Sequence, residues 1–176
     1  MNIHSPVERE PTTAHERAAA YGTKPINFAL QGGGAHGAFG WGVLDRLLED
    51  GRLEVDGFSA TSAGAMNAVV YAYGHMVGGK EKARELLETF WRRISDAGAF
   101  YSPIKRTPLD HFWGLKESFS FRAFEMMTHT FSPYEFNPFN FNPLKQILAK
   151  TVDFDQLHLC ECTRLSICAT NVKTGK

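Results

Sequence analysis

Apolar positions along the chain follow two rhythms, one of short continuous runs and one of helical spacing. Ile26-Asn27-Phe28-Ala29-Leu30 is a short apolar run stopped by a glycine cluster, the pattern of a buried strand. Beyond the cluster, Phe39, Val43, Leu44, Leu47 and Leu48 recur at helical spacing, and Gly51 stands where a C-cap glycine would end that helix. Val55 to Ala60 reads as a second strand. Ala63 to Tyr73 reads as a helix rich in small residues, which pack tightly on a sheet. Lys80 to Ile94 then gathers Leu86, Leu87, Phe90, Trp91 and Ile94 on one face. Strand, helix, strand, helix in this order predicts an α/β fold with a mainly parallel sheet covered by helices.

The flanking segments read differently. Residues 1–24 are polar, carry Pro6, Pro11, Thr12 and Thr13, and read as a loose tail. Residues 100–141 hold nine of the fourteen phenylalanines together with Trp113, Met126 and Met127, interrupted by Pro103, Pro108, Pro133 and Pro138. Phe121, Phe124 and Met127 there could share a helix face. Such a stretch reads as core, or as a greasy lip over an acyl pocket or an edge that dips into a lipid surface. Asn142-Pro143-Leu144 has the form of an N-cap followed by proline at the first helical position. Asp153 and Asp155 read as turn or capping residues. Arg164 to Thr170 alternates Leu165, Ile167 and Ala169 as a strand does. The sequence then runs through Asn171-Val172-Lys173-Thr174-Gly175-Lys176 into a turn with no returning strand, which reads as part of a longer domain whose remainder lies beyond Lys176.

Charge narrows the function classes. Lys and Arg number 19 against 19 Asp and Glu, so no basic field favours nucleic acid. No signal-peptide core and no run of eighteen apolar residues occurs, which sets a cytoplasmic location as the default expectation. Cys160, Cys162 and Cys168 are odd in number, and Cys160-Glu161-Cys162 is too closely spaced for an ordinary disulfide. They read as buried thiols in a reducing compartment rather than as metal ligands, even with His158 nearby.

The chemistry gathers at two turns. In Ala60-Thr61-Ser62-Ala63-Gly64 a strand ends, a serine follows, and small residues stand two before and two after it. That is the recipe of a nucleophile elbow, in which a tight turn lifts the hydroxyl clear of the sheet at a helix N-terminus. Ala60 departs from the strict pattern, which has glycine there. Taken alone, Ser62 serves equally well as the N-cap of the next helix. The second turn is Gln31-Gly32-Gly33-Gly34-Ala35-His36-Gly37, directly after the first strand. Consecutive glycines let backbone N–H groups converge on one point and bind an anion, including the oxyanion formed when an ester carbonyl is attacked.

A rival reading exists. Gly32-x-Gly34-x-x-Gly37 after a strand, with Glu54 or Asp56 about twenty residues on, is also the dinucleotide fingerprint. Two features weigh against it. The second strand continues past Asp56 through Phe58 and Ala60, whereas a ribose-binding acid belongs at the strand's end, and the fingerprint does not require Gly33.

Taken together, Gly32-Gly33-Gly34-x-x-Gly37, a helix, and Thr61-Ser62-Ala63-Gly64-Ala65 resemble the patatin-like phospholipases, and a bacterial branch most closely. The resemblance extends through Ser132-Pro133-Tyr134, Asn142-Pro143-Leu144, Val152-Asp153-Phe154 and Ala169-Thr170-Asn171-Val172. It implies a three-layer α/β/α fold, a Ser–Asp dyad without histidine, and no cofactor. Ser62 would match the nucleophile, and Gly32, Gly33 and Gly34 the oxyanion loop. Gly37, Ala60, Ala63 and Gly64 would support the two turns. Many members carry Arg or Lys at the position of His36. The family's aspartate stands in Asp-Gly-Gly or Asp-Gly-Ala after the nucleophile, and no Asp-Gly follows Ser62. Asp56-Gly57 precedes it, in its own strand.

The expected organisation is thus a polar tail at 1–24 and the N-terminal part of an acyl hydrolase domain at 25–176, incomplete at its C-terminus. The expected activity is hydrolysis of lipid or other acyl esters, inactive in this stretch alone for want of the base. Peripheral membrane contact and a second polypeptide supplying the rest of the domain are the expected partners. A catalytically vestigial lipid- or partner-binding protein and a dinucleotide-dependent oxidoreductase are the competing readings.

Overall fold

The computed structural model describes residues 13–101, 142–160, 162–171 and 173–175. The phenylalanine-rich segment, with the shared face of Phe121, Phe124 and Met127, lies outside them. Two compact units divide the chain, residues 1–91 with 148–176 and residues 92–147. The sheet, its helices and both chemical turns belong to the first unit.

The observed architecture is α/β. Its elements are α1 (Ala14–Tyr21), β1 (Lys24–Leu30), a 3₁₀ turn (Gly34–His36), α2 (Gly37–Asp50), β2 (Leu53–Ala60), α3 (Ser62–Tyr101), α4 (Pro143–Thr151), α5 (Phe154–Leu157) and β3 (Arg164–Ile167). The sheet has the order β1-β2-β3 with both pairings parallel. Parallel neighbours require crossover connections, and helices supply them here. This agrees with the α/β/α arrangement that the resemblance implies.

Local sequence explains most boundaries. Gly51 closes α2 with φ 74°, and its N–H reaches the Leu47 carbonyl. Asn142 caps α4 through its side-chain oxygen, which accepts from the Lys145 N–H at 2.9 Å, with Pro143 at the first helical position. Asp153 caps α5 by accepting from the N–H groups of Asp155 and Gln156. Within α3 the helix breaks at Gly78 and Gly79, the latter at φ 68° and ψ −160°. The chain doubles back there, and Gly74 approaches Ala83 so closely that a Cβ on Gly74 would lie 2.6 Å from the Ala83 Cα.

The tail reading fails from Thr13 onward. Thr13 and Glu16 form a capping box, each side chain accepting from the other's backbone N–H. The helix it opens buries Ala14 and Ala18. Arg17 carries it onto β2 by pairing with buried Glu54 at 3.2 Å. Alanine and long polar stems bury enough surface for this, although the stretch shows no large apolar residue.

Phe58 anchors the core of the sheet. Its ring stacks on Phe28 with centroids 5.8 Å apart and meets Tyr71 edge-on at 5.1 Å. Such contacts add about 1 kcal/mol each beyond the area they bury. Leu44, Val70, Leu87 and Phe90 complete the buried set around them.

The cysteines correct a second expectation. Cys160 and Cys162 are joined by a disulfide with Cα atoms 5.5 Å apart, inside the ordinary range of about 4.4–6.8 Å. The spacing permits it because the chain bends between α5 and β3 instead of running as a strand. Cys168 is free and exposed, not buried. No cluster of metal-ligating side chains occurs among the described residues.

Candidate active site

β2 ends at Ala60, and α3 begins two residues later at Ser62. A strand can turn into a helix that abruptly only by placing the residue between them in an uncommon backbone conformation. Ser62 takes it, with φ 51°, the only positive φ at a non-glycine residue among the described residues. For an L side chain that region costs about 1–2 kcal/mol, and such strain gathers where a side chain must be presented rather than packed. Ser62 is exposed at the C-terminal end of the parallel sheet, while its neighbours Ala60 and Ala63 are buried.

The turn is clamped from both sides. The Thr61 N–H donates to the Leu30 carbonyl at 3.2 Å, and its hydroxyl donates to the Cys168 carbonyl at 3.3 Å. The Cys168 N–H in turn reaches the Ala60 carbonyl at 3.0 Å. Gly64 lies against the end of β1, where an added Cβ would stand 2.4 Å from the Leu30 carbonyl oxygen. No side chain fits there. The N–H groups of Gly64 and Ala65 bond to the Thr61 carbonyl and start the helix, so its positive N-terminal dipole begins at Ser62.

The glycine loop comes to the same place. A Cβ on Gly32 would lie 2.9 Å from the Ser62 Cβ and 3.6 Å from its Oγ. The Gly32 backbone therefore rests directly on the serine. Beyond it, the Gly33 carbonyl accepts from the His36 N–H at 3.1 Å, and His36 Nδ1 lies 3.1 Å from the same oxygen. A carbonyl only accepts, so Nδ1 carries the proton. Because the peptide is trans, the N–H of Gly34 points opposite to that anchored carbonyl. Gly33 and Gly34 are exposed, and nothing lies within 4 Å of a Cβ on Gly34.

One residue quoted in the serine motif turns out to hold the two turns in register. Asn67, buried one turn into α3, donates to the Gly37 carbonyl at 2.9 Å and accepts from Trp91 Nε1 at 2.8 Å. Gly37 begins α2 directly after the loop. It packs so closely that a Cβ would lie 2.7 Å from the Ala63 Cβ. Sequence gave no role to Asn67; a lone asparagine inside an apolar helix was the available signal, since a buried amide needs partners.

This arrangement places a strained, exposed serine at a helix N-terminus beside a loop of backbone donors. A model of the patatin-like phospholipase family matches residues 28–172. The chain belongs to that family. No curated protein and no solved structure matches it. A patatin-like phospholipase domain points to ester or phospholipid acyl hydrolysis and so to lipid substrates.

The dinucleotide reading is overturned by position as well as by family. Glu54 and Asp56 are the second and fourth residues of β2, at the end of the sheet opposite Ser62. Glu54 is held by Arg17 and Lys80, and Asp56 by Arg164 and Asn27. Two Asp-Gly pairs occur in the chain, and both precede Ser62. Asp50-Gly51 closes α2, where Asp50 pairs with Arg52, and Asp56-Gly57 lies within β2. Among the described residues, no helix is long and apolar enough to cross a membrane.

Proposed function

We propose that the protein hydrolyses fatty acyl esters through an acyl-enzyme on Ser62. The observation that carries this reading is the contact of the Gly32 backbone with a serine held at positive φ. Nucleophile and donors must lie side by side for acyl transfer. The Ser62 Oγ attacks the ester carbonyl and passes its proton to a base. The resulting oxyanion is held by N–H groups of the Gly32–Gly34 loop and of the first turn of α3. Collapse expels the alcohol, which takes the proton, and water then releases the fatty acid by the same path in reverse roles. The base is an aspartate forming a Ser–Asp dyad. It is assigned to a segment beyond residue 176, because neither Asp-Gly-Gly nor Asp-Gly-Ala occurs in the chain. His36 supports the loop through Gly33 in place of the family's cation. The site needs no metal or organic cofactor for these steps.

The test is labelling of the full-length protein with a fluorophosphonate, alongside hydrolysis of p-nitrophenyl acyl esters. Both signals are expected, and both are expected to vanish in Ser62→Ala with the fold intact. Labelling or turnover that survives the substitution removes Ser62 from the mechanism.

A further inference from the structure

A cleft of about 240 Å³ opens between β1 and α2. Its wall shares Gly32 and Gly64 with the two turns at Ser62, so one end begins beside the nucleophile. Away from that end it is lined by Phe28, Leu30, Phe39, Val43 and Leu44. No charged side chain lines it. The polar amide at its inner end, Asn67, is already committed to Gly37 and Trp91. A headgroup phosphate or carboxylate would find no partner there, whereas a hydrocarbon chain would lose nothing. At the rim, Phe39 is 79% exposed and Val43 42% exposed. Two large apolar residues left open beside a nucleophile are the mark of a surface awaiting an apolar ligand.

We infer that this cleft takes the acyl chain of the ester and sets its preferred length. The inference rests on the hydrolase reading above, because continuity with Ser62 is what selects a substrate chain as occupant. A methylene is close in size to a water molecule, which fills roughly 30 Å³ in the liquid. The cleft therefore holds a chain of about eight carbons. Longer chains run out past Phe39 into solvent and gain little more. Val43 and Phe39 are the residues that determine specificity, and they act through volume and apolar area.

The experiment has two arms on the full-length protein. In the first, kcat/KM is measured on p-nitrophenyl esters from acetate to palmitate. It is expected to climb about threefold for each added methylene up to about eight carbons, and then to level. Val43→Phe fills the cleft and is expected to lower the ratio of octanoate to butyrate hydrolysis by about tenfold. Phe39→Ala, at an exposed rim position that does not threaten folding, is expected to lower the same ratio by about threefold. The second arm needs no catalysis. Binding of 1-octanol and 1-butanol is measured by NMR titration, and Val43→Phe is expected to weaken octanol selectively. If hydrolysis is absent but octanol binds and Val43→Phe abolishes the binding, the cleft stands and the hydrolase reading falls. If Ser62-dependent hydrolysis is present but the length profile is identical in wild type, Val43→Phe and Phe39→Ala, the acyl cleft is overturned and the reaction stands.

Discussion

Asn67 and Gly37 are joined by a buried hydrogen bond of 2.9 Å that ties the helix carrying the nucleophile to the helix that follows the glycine loop. Trp91, from the returning half of α3, closes the arrangement by donating to the same amide at 2.8 Å. Each partner would be stranded in the core if the amide were lost. Asn67→Ala is therefore expected to cost about 2–4 kcal/mol in stability, read by chemical denaturation. It is also expected to lower kcat on acyl esters, because Gly37 follows the loop directly and would lose its tether. A variant with native stability would show that the amide is not what holds the two turns together.

Substitutions at Ser62 separate strain from chemistry. Alanine and glycine both remove the hydroxyl, so both abolish turnover in the proposed mechanism. They differ in backbone, since alanine must still adopt φ 51° and glycine does so freely. Inside an ordinary helix alanine is the more stable by about 1 kcal/mol. At this position the order is expected to reverse, with Ser62→Gly more stable than Ser62→Ala by about 1 kcal/mol. Thermal melts of the two variants decide it. The usual helix order would mean that the elbow relaxes when the side chain is removed.

The Gly33 carbonyl is held by His36 through both backbone and ring, which fixes the peptide whose other side carries the Gly34 N–H. His36→Ala removes the ring contact and leaves the backbone one. Loosening a donor of this kind lowers kcat with little change in KM, since it acts on the transition state. A loss of about tenfold is expected. His36→Asn, which keeps a short amide donor near the carbonyl, is expected to recover part of it. Equal activity in all three proteins would remove His36 from the loop's support.

What could be read from sequence divides by range. Gly51, Asn142 with Pro143, and the tight Ser62 turn act within a few residues, and their structures follow from their own chemistry. The strand–helix alternation likewise needs only local periodicity to imply a parallel sheet. The contacts of Glu54 could not be read this way. Its partners lie 37 residues back at Arg17 and forward at Lys80, and only the assembled fold brings them to one carboxylate. For the same reason the first helix was hidden. Its capping box at Thr13 and Glu16 is local and legible, but its purpose is to deliver Arg17 to the sheet. The cysteine pair failed differently, because its geometry depends on a bend that the residues around it do not announce.

Acid should unfold the protein in two stages that report on this end of the sheet. His75 stacks on Tyr71 with ring centroids 5.6 Å apart. Burial, with Arg17 and Lys80 nearby, pushes its pKa down to about 4 despite an opposing pull from Glu54. Unfolded, it titrates near 6.5, so between those values the unfolded chain binds the extra proton and stability falls as pH falls. Glu54 enters lower. Burial alone would raise its pKa, but hydrogen bonds and charge from Lys80 and Arg17 outweigh that and hold it below the usual 4.5. Its contribution is present above about pH 4.5 and is lost as pH drops through the folded value. Stability measured by denaturation from pH 7 to 3 is thus expected to decline first through the histidine window and then more steeply. His75→Phe, which keeps an aromatic ring for Tyr71, should flatten the first decline and leave the second. Glu54→Gln should flatten the second and lower stability at neutral pH, because Arg17 and Lys80 lose their shared counter-charge. A His75→Phe protein with an unchanged slope between pH 6.5 and 4 would place the acid sensitivity elsewhere in the molecule.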